Sequence, residues 1–131
     1  METSNRFTKE ERLCSKTIIE RLYADGKSVA AYPLRAVYIA LEPADNEPTV
    51  SILLSVPKKR FKHAVDRNLV KRRLREAYRL NKHAFIKEMQ QQGKHMAIAI
   101  LYLDKQHHSF RHLQFKLVKL LKAIAEKEAA E

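Results

Sequence analysis

One long helix constrains the fold of this chain more than any other feature. The run from Val65 to Gln92 contains no proline or glycine, and Gly93 follows it, so a single helix is predicted to end there. Each residue of an α-helix advances about 100° around the axis. On that spacing Val70, Leu74 and Ala77 share one apolar arc. The rest of the chain must therefore supply a layer that buries this arc.

The neighbouring arc of the same helix is cationic. Six bases and one asparagine fall within about 140° of one another, namely Arg67, Asn68, Lys71, Arg72, Arg75, Arg79 and Lys82. Like charges at these spacings repel by a few tenths of a kcal/mol per pair, and Glu76 is the only acid between Arg67 and Lys82. Arginine outnumbers lysine here, and its planar guanidinium matches phosphate oxygens. The pattern favours an external polyanion over a merely solvated face, and Asn68 suits a ribose or base edge.

The charge of the whole chain is concentrated around this helix. The 131 residues include 26 Lys and Arg against 15 Asp and Glu, a formal net charge of +11. The window from Lys58 to Lys82 holds eleven of those bases and two of the acids, so it carries +9 by itself. Its first cations, Lys58, Lys59 and Arg60, precede the helix start, where the helix dipole adds partial positive charge. We predict that phosphate binds at this end of the helix.

Short apolar runs supply the layer that the helix needs. Runs with the composition of strands are Ser28–Ala31, Leu34–Leu41, Val50–Val56 and Met96–Leu103. Two more helices are predicted, from Thr8 to Asp25 and from His107 to Glu128. This order predicts an α+β fold, a small α/β sandwich with helices packed on a four-stranded mixed sheet that contains a βαβ crossover.

Composition excludes several classes of protein. The chain is 45% hydrophobic, which is enough to bury one core, and it contains no Gly-rich or Ser-rich linker. We therefore predict a single domain over residues 1–131. Its ends, 1–7 and 126–131, are predicted to fray. One cysteine, Cys14, excludes an intramolecular disulfide framework and fits a reducing compartment. No apolar run approaches 18 residues, and the polar start is unlike a signal peptide. A cytoplasmic protein that does not span a membrane is therefore predicted.

No catalytic or metal-binding constellation stands out in the sequence. His108 and His112 have the i, i+4 spacing of paired ligands, but we find no carboxylate or cysteine placed to complete a zinc site. A protein nuclease needs paired carboxylates to hold magnesium, whereas Asp25, Asp45 and Asp104 lie in separate predicted turns. We therefore predict no catalytic residue and no metal ligand in the polypeptide.

Two stretches, Ser55–Lys59 and Ala64–Arg79, closely resemble the signature of the bacterial ribonuclease P protein subunit family. In that signature an Arg-Asn turn opens a helix and is followed by Lys-Arg and then Arg-Glu, here from Arg67 to Glu76. The resemblance extends over nearly the whole chain. It implies a non-catalytic protein subunit of an endoribonuclease whose active site is in its RNA subunit. That enzyme removes the 5′ leader of precursor tRNA, with Mg2+ held mainly by the RNA subunit and the substrate.

The resemblance also implies the partners and their binding residues. The protein would bind the ribonuclease P RNA and the leader of precursor tRNA, with no membrane and no obligate protein partner. The RNA-binding positions would be Lys58, Lys59, Arg60, Arg67, Asn68, Lys71, Arg72, Arg75 and Arg79. A cleft for the leader, between the first helix and the sheet, would be lined by Ile19, Tyr23 and Tyr38, with the tyrosines stacking on unpaired bases. Ile19 stands where many members have Phe, and Leu53 replaces a usual Gly. The family's βαβ crossover is left-handed, against the general rule.

Other readings of the sequence remain open. A structural RNA-binding protein of ribosomal type, without a role in cleavage, fits the composition as well. A surface for anionic membranes fits less well, because the helix has no Trp and the sheet needs its apolar face. The phenylalanines are assigned to packing: Phe7, Phe61, Phe85, Phe110 and Phe115.

Overall fold

Four strands form one mixed sheet, and three helices pack on it. The computed structural model describes residues 12–13, 15–42 and 49–130. Its elements in chain order are α1 (Lys16–Asp25), β1 (Lys27–Ala31), β2 (Leu34–Leu41), β3 (Val50–Ser55), α2 (Ala64–Gln91), β4 (His95–Tyr102) and α3 (Phe110–Ala129). This is the predicted α+β architecture, including the short first strand. None of the described helices is long and apolar enough to cross a membrane.

The strand order β1-β2-β4-β3 places the last strand in the middle of the sheet. β1 and β2 form an antiparallel hairpin, and β2 pairs antiparallel with β4 from Leu34↔Tyr102 to Leu41↔His95. β3 runs parallel to β4, so α2 is the crossover between two parallel neighbours. The chain consequently leaves the edge strand β3 and enters the basic loop and α2 directly.

Alternate residues of the strands divide the interior into two layers. Leu34, Ala36 and Tyr38 of β2 face the larger core, which they share with α2 and α3. Val37, between them, faces the smaller core beneath α1. The apolar arc predicted for α2 is confirmed, because Val70, Leu74 and Ala77 are all 0% exposed. α2 and α3 therefore cover one face of the sheet, and α1 covers part of the other.

The first helix begins later than predicted. The predicted start at Thr8 lies outside the described residues, but Arg12 and Leu13 already run beside β3. The Leu13 amide donates to the Ile52 carbonyl at 2.9 Å, and Arg12 pairs with Ile52 in the parallel sense. α1 starts only after Ser15, whose side chain accepts a hydrogen bond from the Ile18 amide at 3.4 Å. Arg12 and Leu13 therefore lie along part of the β3 edge.

The described part of the predicted frayed segment 126–131 forms the end of α3. The helix continues to Ala129, and Glu128 is 3% exposed. Lys94 Nζ donates to the Glu128 carbonyl at 2.7 Å, and Lys27 Nζ lies 3.6 Å from the Glu128 carboxylate. Cations on β1 and before β4 thus hold this turn, which the mixed-charge sequence alone does not reveal. Residues 1–7 and 131, which complete the predicted frayed ends, lie outside the described residues.

The close approach of α1 to the sheet at Gly26 can be tested. A Cβ there would lie 2.2 Å from the Leu22 carbonyl oxygen and 2.7 Å from Val37 Cγ1. We expect Gly26→Ala to lower the free energy of unfolding in urea by about 2–3 kcal/mol, because overpacking forces the elements apart. The control is Gly93→Ala. Gly93 has φ 67, and a Cβ added there would have no heavy atom within 4 Å. The backbone strain of about 1 kcal/mol in this variant is partly offset because alanine makes the unfolded chain less flexible. A larger loss at Gly93 would contradict this account.

Candidate nucleic-acid interface

The start of α2 is arranged to receive an anion. Lys58 and Lys59 are exposed in the turn that follows β3, and Arg60 beside them is half-buried. His63, the N-cap residue, makes no side-chain capping hydrogen bond, so the N-cap side chain does not occupy the first amides of α2. The first turn also carries one acid, Asp66. Uncapped backbone amides and the helix dipole favour a phosphate at such an end.

Exposed side chains continue this surface along α2. Asn68, Arg72 and Arg75 are all exposed, and consecutive members are three or four residues apart. Lys71, between them in sequence, is half-buried at the side of the helix that faces β3. We call the nine predicted RNA-binding residues the basic face. Its exposed row is the part that is open to a ligand.

Arg67 contributes to the basic face by holding the loop. Its Nη1 donates to the backbone carbonyls of Phe61 and Lys62 at 2.9 and 3.0 Å. These bonds tie the loop that carries Lys58 and Lys59 to the first turn of α2. Arg67 thus orders the surface as well as adding charge to it, a role that the sequence pattern does not indicate.

Two cations of the predicted arc, Arg79 and Lys82, are less open to solvent than the exposed row. Arg79 bonds to Glu76, with Nε donating to Oε2 at 3.1 Å. The Arg79 hydrogen bond lowers the pKa of the Glu76 carboxyl, and the same bond raises the pKa of the guanidinium. Lys82 is only 3% exposed and lies on the same side of α2 as the buried Tyr78 and Phe85. Lys82 is therefore not part of the exposed cationic arc, and that prediction was wrong.

The loop between β4 and α3 supports the helix start from the other side. His107 Nε2 lies 3.1 Å from Asp66 Oδ1, and the His107 ring stacks on Phe61 with centroids 4.6 Å apart. Arg73 Nη1 donates to the His108 carbonyl at 3.0 Å. These contacts are not predictable from the sequence pattern, since Asp66 and His107 are far apart along the chain. They fix the direction of α2 where the basic face begins.

His108 does have a nearby carboxylate, contrary to the sequence analysis. Its Nε2 lies 2.6 Å from Asp104 Oδ2, four residues earlier, and this hydrogen bond lowers the pKa of the Asp104 carboxyl. His108 and His112 stack with centroids 5.0 Å apart. The described residues contain no group of three side chains placed to hold a metal ion.

A cleft of about 390 Å³ opens between the β3 edge and α2. Its cations are Arg12, Lys71 and Arg75, its floor is formed by Leu13 and the Ile52–Leu54 stretch of β3, and no carboxylate is among its described lining. Leu13 enters the core beneath α1, so its neighbour Arg12 points to the α2 side, as side chains alternate along extended chain. Arg12 was not predicted as an RNA-binding residue, because the sequence pattern placed it within the first helix.

Only part of the predicted leader cleft lies on the α1 side of the sheet. Ile19 is half-buried against the smaller core, and Tyr23 on the same helix is 52% exposed. Tyr38 is 1% exposed and faces α2 and α3, and burial raises the pKa of its hydroxyl, with Glu128 adding to the rise. Tyr38 is therefore no platform for a base, and this prediction was wrong. Side chains do alternate between the two faces along β2, but Val37 and Ile39 are the residues on the α1 side.

Comparisons with known proteins agree on one family. The family model described as Ribonuclease P matches residues 7–125. A "Ribonuclease P protein component" of Porphyromonas gingivalis is 40% identical over 119 residues, which cover 91% of this chain and 86% of the relative. One from Chlorobium phaeobacteroides is 32% identical over 126 residues, with coverage of 89% and 86%.

Solved structures show the same fold at lower identity. The RNase P protein of Staphylococcus aureus has a TM-score of 0.68 at 22% identity, covering 87% of this chain and 94% of that one. The RNase P protein from Thermotoga maritima has a TM-score of 0.65 at 23% identity, covering 86% and 96%. Three helices on an open four-stranded mixed sheet are thus common to all three chains.

The cleft at the β3 edge gives a test of Arg12. If one RNA phosphate binds all three cations, Arg12→Ala weakens RNA binding and makes its dependence on log salt shallower by about one unit. We expect the losses from Arg12→Ala and Arg75→Ala to couple in a double-mutant cycle, since both contact one ligand. Filter binding over a salt series measures both effects. The control is Lys127→Ala, which removes an exposed cation at the far end of α3. An equal loss of RNA affinity in that variant would mean that Arg12 acts only through the overall charge of the protein.

Proposed function

The chain belongs to the ribonuclease P protein family, and on that premise we propose that it binds RNA through the basic face and assists removal of the 5′ leader from precursor tRNA. It is a protein subunit of ribonuclease P and a partner of the RNA subunit. The observation that carries the proposal is the exposed row Asn68, Arg72 and Arg75 beside a cleft with cations and no described carboxylate. We propose that the whole chain acts as one RNA-binding domain in the cytoplasm.

The basic face and the α1 side of the sheet would serve different RNA segments. Exposed guanidinium groups bind phosphates at sites fixed by the packing of α2, and Asn68 adds a hydrogen-bonding group to ribose or base. On the opposite side of the sheet, Tyr23 offers an exposed ring and Ile19 an aliphatic surface for the single-stranded leader.

Cleavage itself is proposed to take place in the RNA subunit. The basic face does not suit Mg2+, because its cations repel a divalent ion and the described residues group no three metal ligands. We propose that Mg2+ is held by the RNA subunit and the substrate. The protein would lower the repulsion between the two RNAs by supplying fixed positive charge, which favours their association.

A structural protein of ribosomal type is not favoured. The family match spans residues 7–125, and the curated relatives carry the name of the ribonuclease P component. The RNA that co-purifies with the chain separates the two functions, because a ribosomal protein would bring down ribosomal RNA.

The exposed row of α2 can be tested through the salt dependence of binding. We expect Arg72→Ala to weaken binding to the RNA subunit and to make the slope of log K against log salt shallower by about one unit, because one phosphate contact is lost. Fluorescence titration at several salt concentrations measures the slope. Lys127→Ala should leave it close to that of the parent protein. An unchanged slope in Arg72→Ala would mean that this side chain does not contact phosphate.

The role in processing can be tested by reconstitution. We expect the protein to accelerate precursor-tRNA cleavage by its RNA subunit at low Mg2+, and the double variant Arg72→Ala, Arg75→Ala to stimulate less. Gel analysis of the leader and the mature product gives the rate. The RNA subunit alone at high Mg2+ is the control for active RNA. Absence of stimulation by the parent protein with a matched RNA would refute the proposed role.

A further inference from the structure

An aromatic side chain on α3 lies in solvent rather than in the core. Phe115 is 64% exposed, so its assignment to packing was wrong. The core contacts of α3 are made by other residues, of which Leu113, Leu117 and Leu120 are at most 1% exposed. Phe115 is about 160° around the helix from Leu113 and Leu117. The fold therefore does not need an aromatic ring at this position.

Cations surround the Phe115 ring. Arg111 is one turn before it, Lys119 one turn after it and Lys122 two turns after it, and all three are exposed. Lys116 Nζ lies 5.7 Å from the centroid of the ring. The sequence from Arg111 to Lys122 contains no acid, although Lys122 lines a pocket between α2 and α3 together with Glu88 and Glu126. We name Arg111, Phe115, Lys116, Lys119 and Lys122 the α3 face.

The composition of the α3 face differs from that of an ordinary solvated helix. Exposed lysines usually alternate with acids at i, i+4 spacing, which removes their repulsion. Here four cations flank an exposed ring over about 16 Å of helix. Proteins that bind single-stranded nucleic acid without reading its sequence combine cations along the backbone with aromatic rings beneath the bases. The α3 face has both components.

The α3 face is separate from the basic face. α3 packs against the side of α2 that carries Asn81, whose Nδ2 donates to Gln114 Oε1 at 2.9 Å. Arg75 lies about 120° around α2 from Asn81 and lines the cleft at the β3 edge. The two cationic surfaces are thus on different flanks of the helical layer. A single RNA phosphate group cannot contact both.

We propose that the α3 face binds a second segment of RNA, single-stranded, with one base stacked on Phe115 and neighbouring phosphates on Arg111, Lys119 and Lys122. The proposal rests on the RNA-binding function proposed above and adds a second site to it. Because stacking accepts any base, this site has little sequence preference. It allows the protein to hold two RNA segments at once.

The test uses the full-length protein and a fluorescent 12-nucleotide oligouridylate. We expect Phe115→Ala to weaken binding by about 5- to 150-fold, the loss of one base stacked on an aromatic ring, and Phe115→Tyr to bind like the parent protein. Leu80→Ala, which removes another exposed apolar side chain, is the matched control and should bind normally. Thermal melting checks that each variant is folded. Equal affinity of Phe115→Ala and the parent protein would overturn the proposal.

A second variant distinguishes this site from the basic face. The Phe115→Ala change is repeated in the Arg72→Ala background, where it should retain its full fold-change because separate sites contribute independently. If only Arg72→Ala weakens RNA binding, the proposed RNA site on the α3 face is wrong and the proposed function stands. If neither change weakens binding, both proposals are wrong. If Phe115→Ala instead alters self-association in sedimentation, or binding to anionic vesicles, without altering RNA affinity, the partner is not RNA and the proposal is overturned.

Discussion

The burial of one arc of α2 is the constraint on which the basic face depends. Val70, Leu74 and Ala77 are completely enclosed by the sheet and α3, so the helix cannot rotate without exposing them to water. Burial of a Val or Leu side chain such as Val70 or Leu74 contributes about 1.5–3 kcal/mol. Because angles around a helix are fixed, this packing also fixes the direction of Asn68, Arg72 and Arg75. Core packing and the proposed RNA binding thus depend on one rigid element.

The cationic cluster is maintained by polar contacts as well as by packing. Arg67 and Arg73 donate to backbone carbonyls of the two loops that flank the start of α2, and Asp66 contacts His107. These groups hold the surrounding chain in place. The result is a set of exposed charges on ordered backbone, which loses less entropy on binding than a flexible basic tail would.

Helix faces and strands could be predicted from local patterns in the sequence. The exposure of single side chains could not, because it depends on residues that are distant in sequence. The apolar arc of α2 follows from helical spacing, and the bounds of β2 follow from its branched and aromatic composition after Pro33. Alternation along β2 shows that Tyr38 and Val37 face opposite ways, but which of them faces α1 depends on the other layers. Lys82 and Arg12 were misplaced for a similar reason. Lys82 is buried in the folded chain, and Arg12 lines the cleft at the β3 edge.

The position of β4 in the middle of the sheet determines when the sheet can form during folding. β1 and β2 can meet early as a hairpin, but two strands alone are marginally stable in water, and β3 has no neighbour among them. The sheet closes only when β4 inserts between β2 and β3, and β4 follows α2 along the chain. During synthesis on the ribosome, the most positively charged segment therefore emerges before the layer that orients it. The nascent chain carries its attraction for RNA before it has a binding surface.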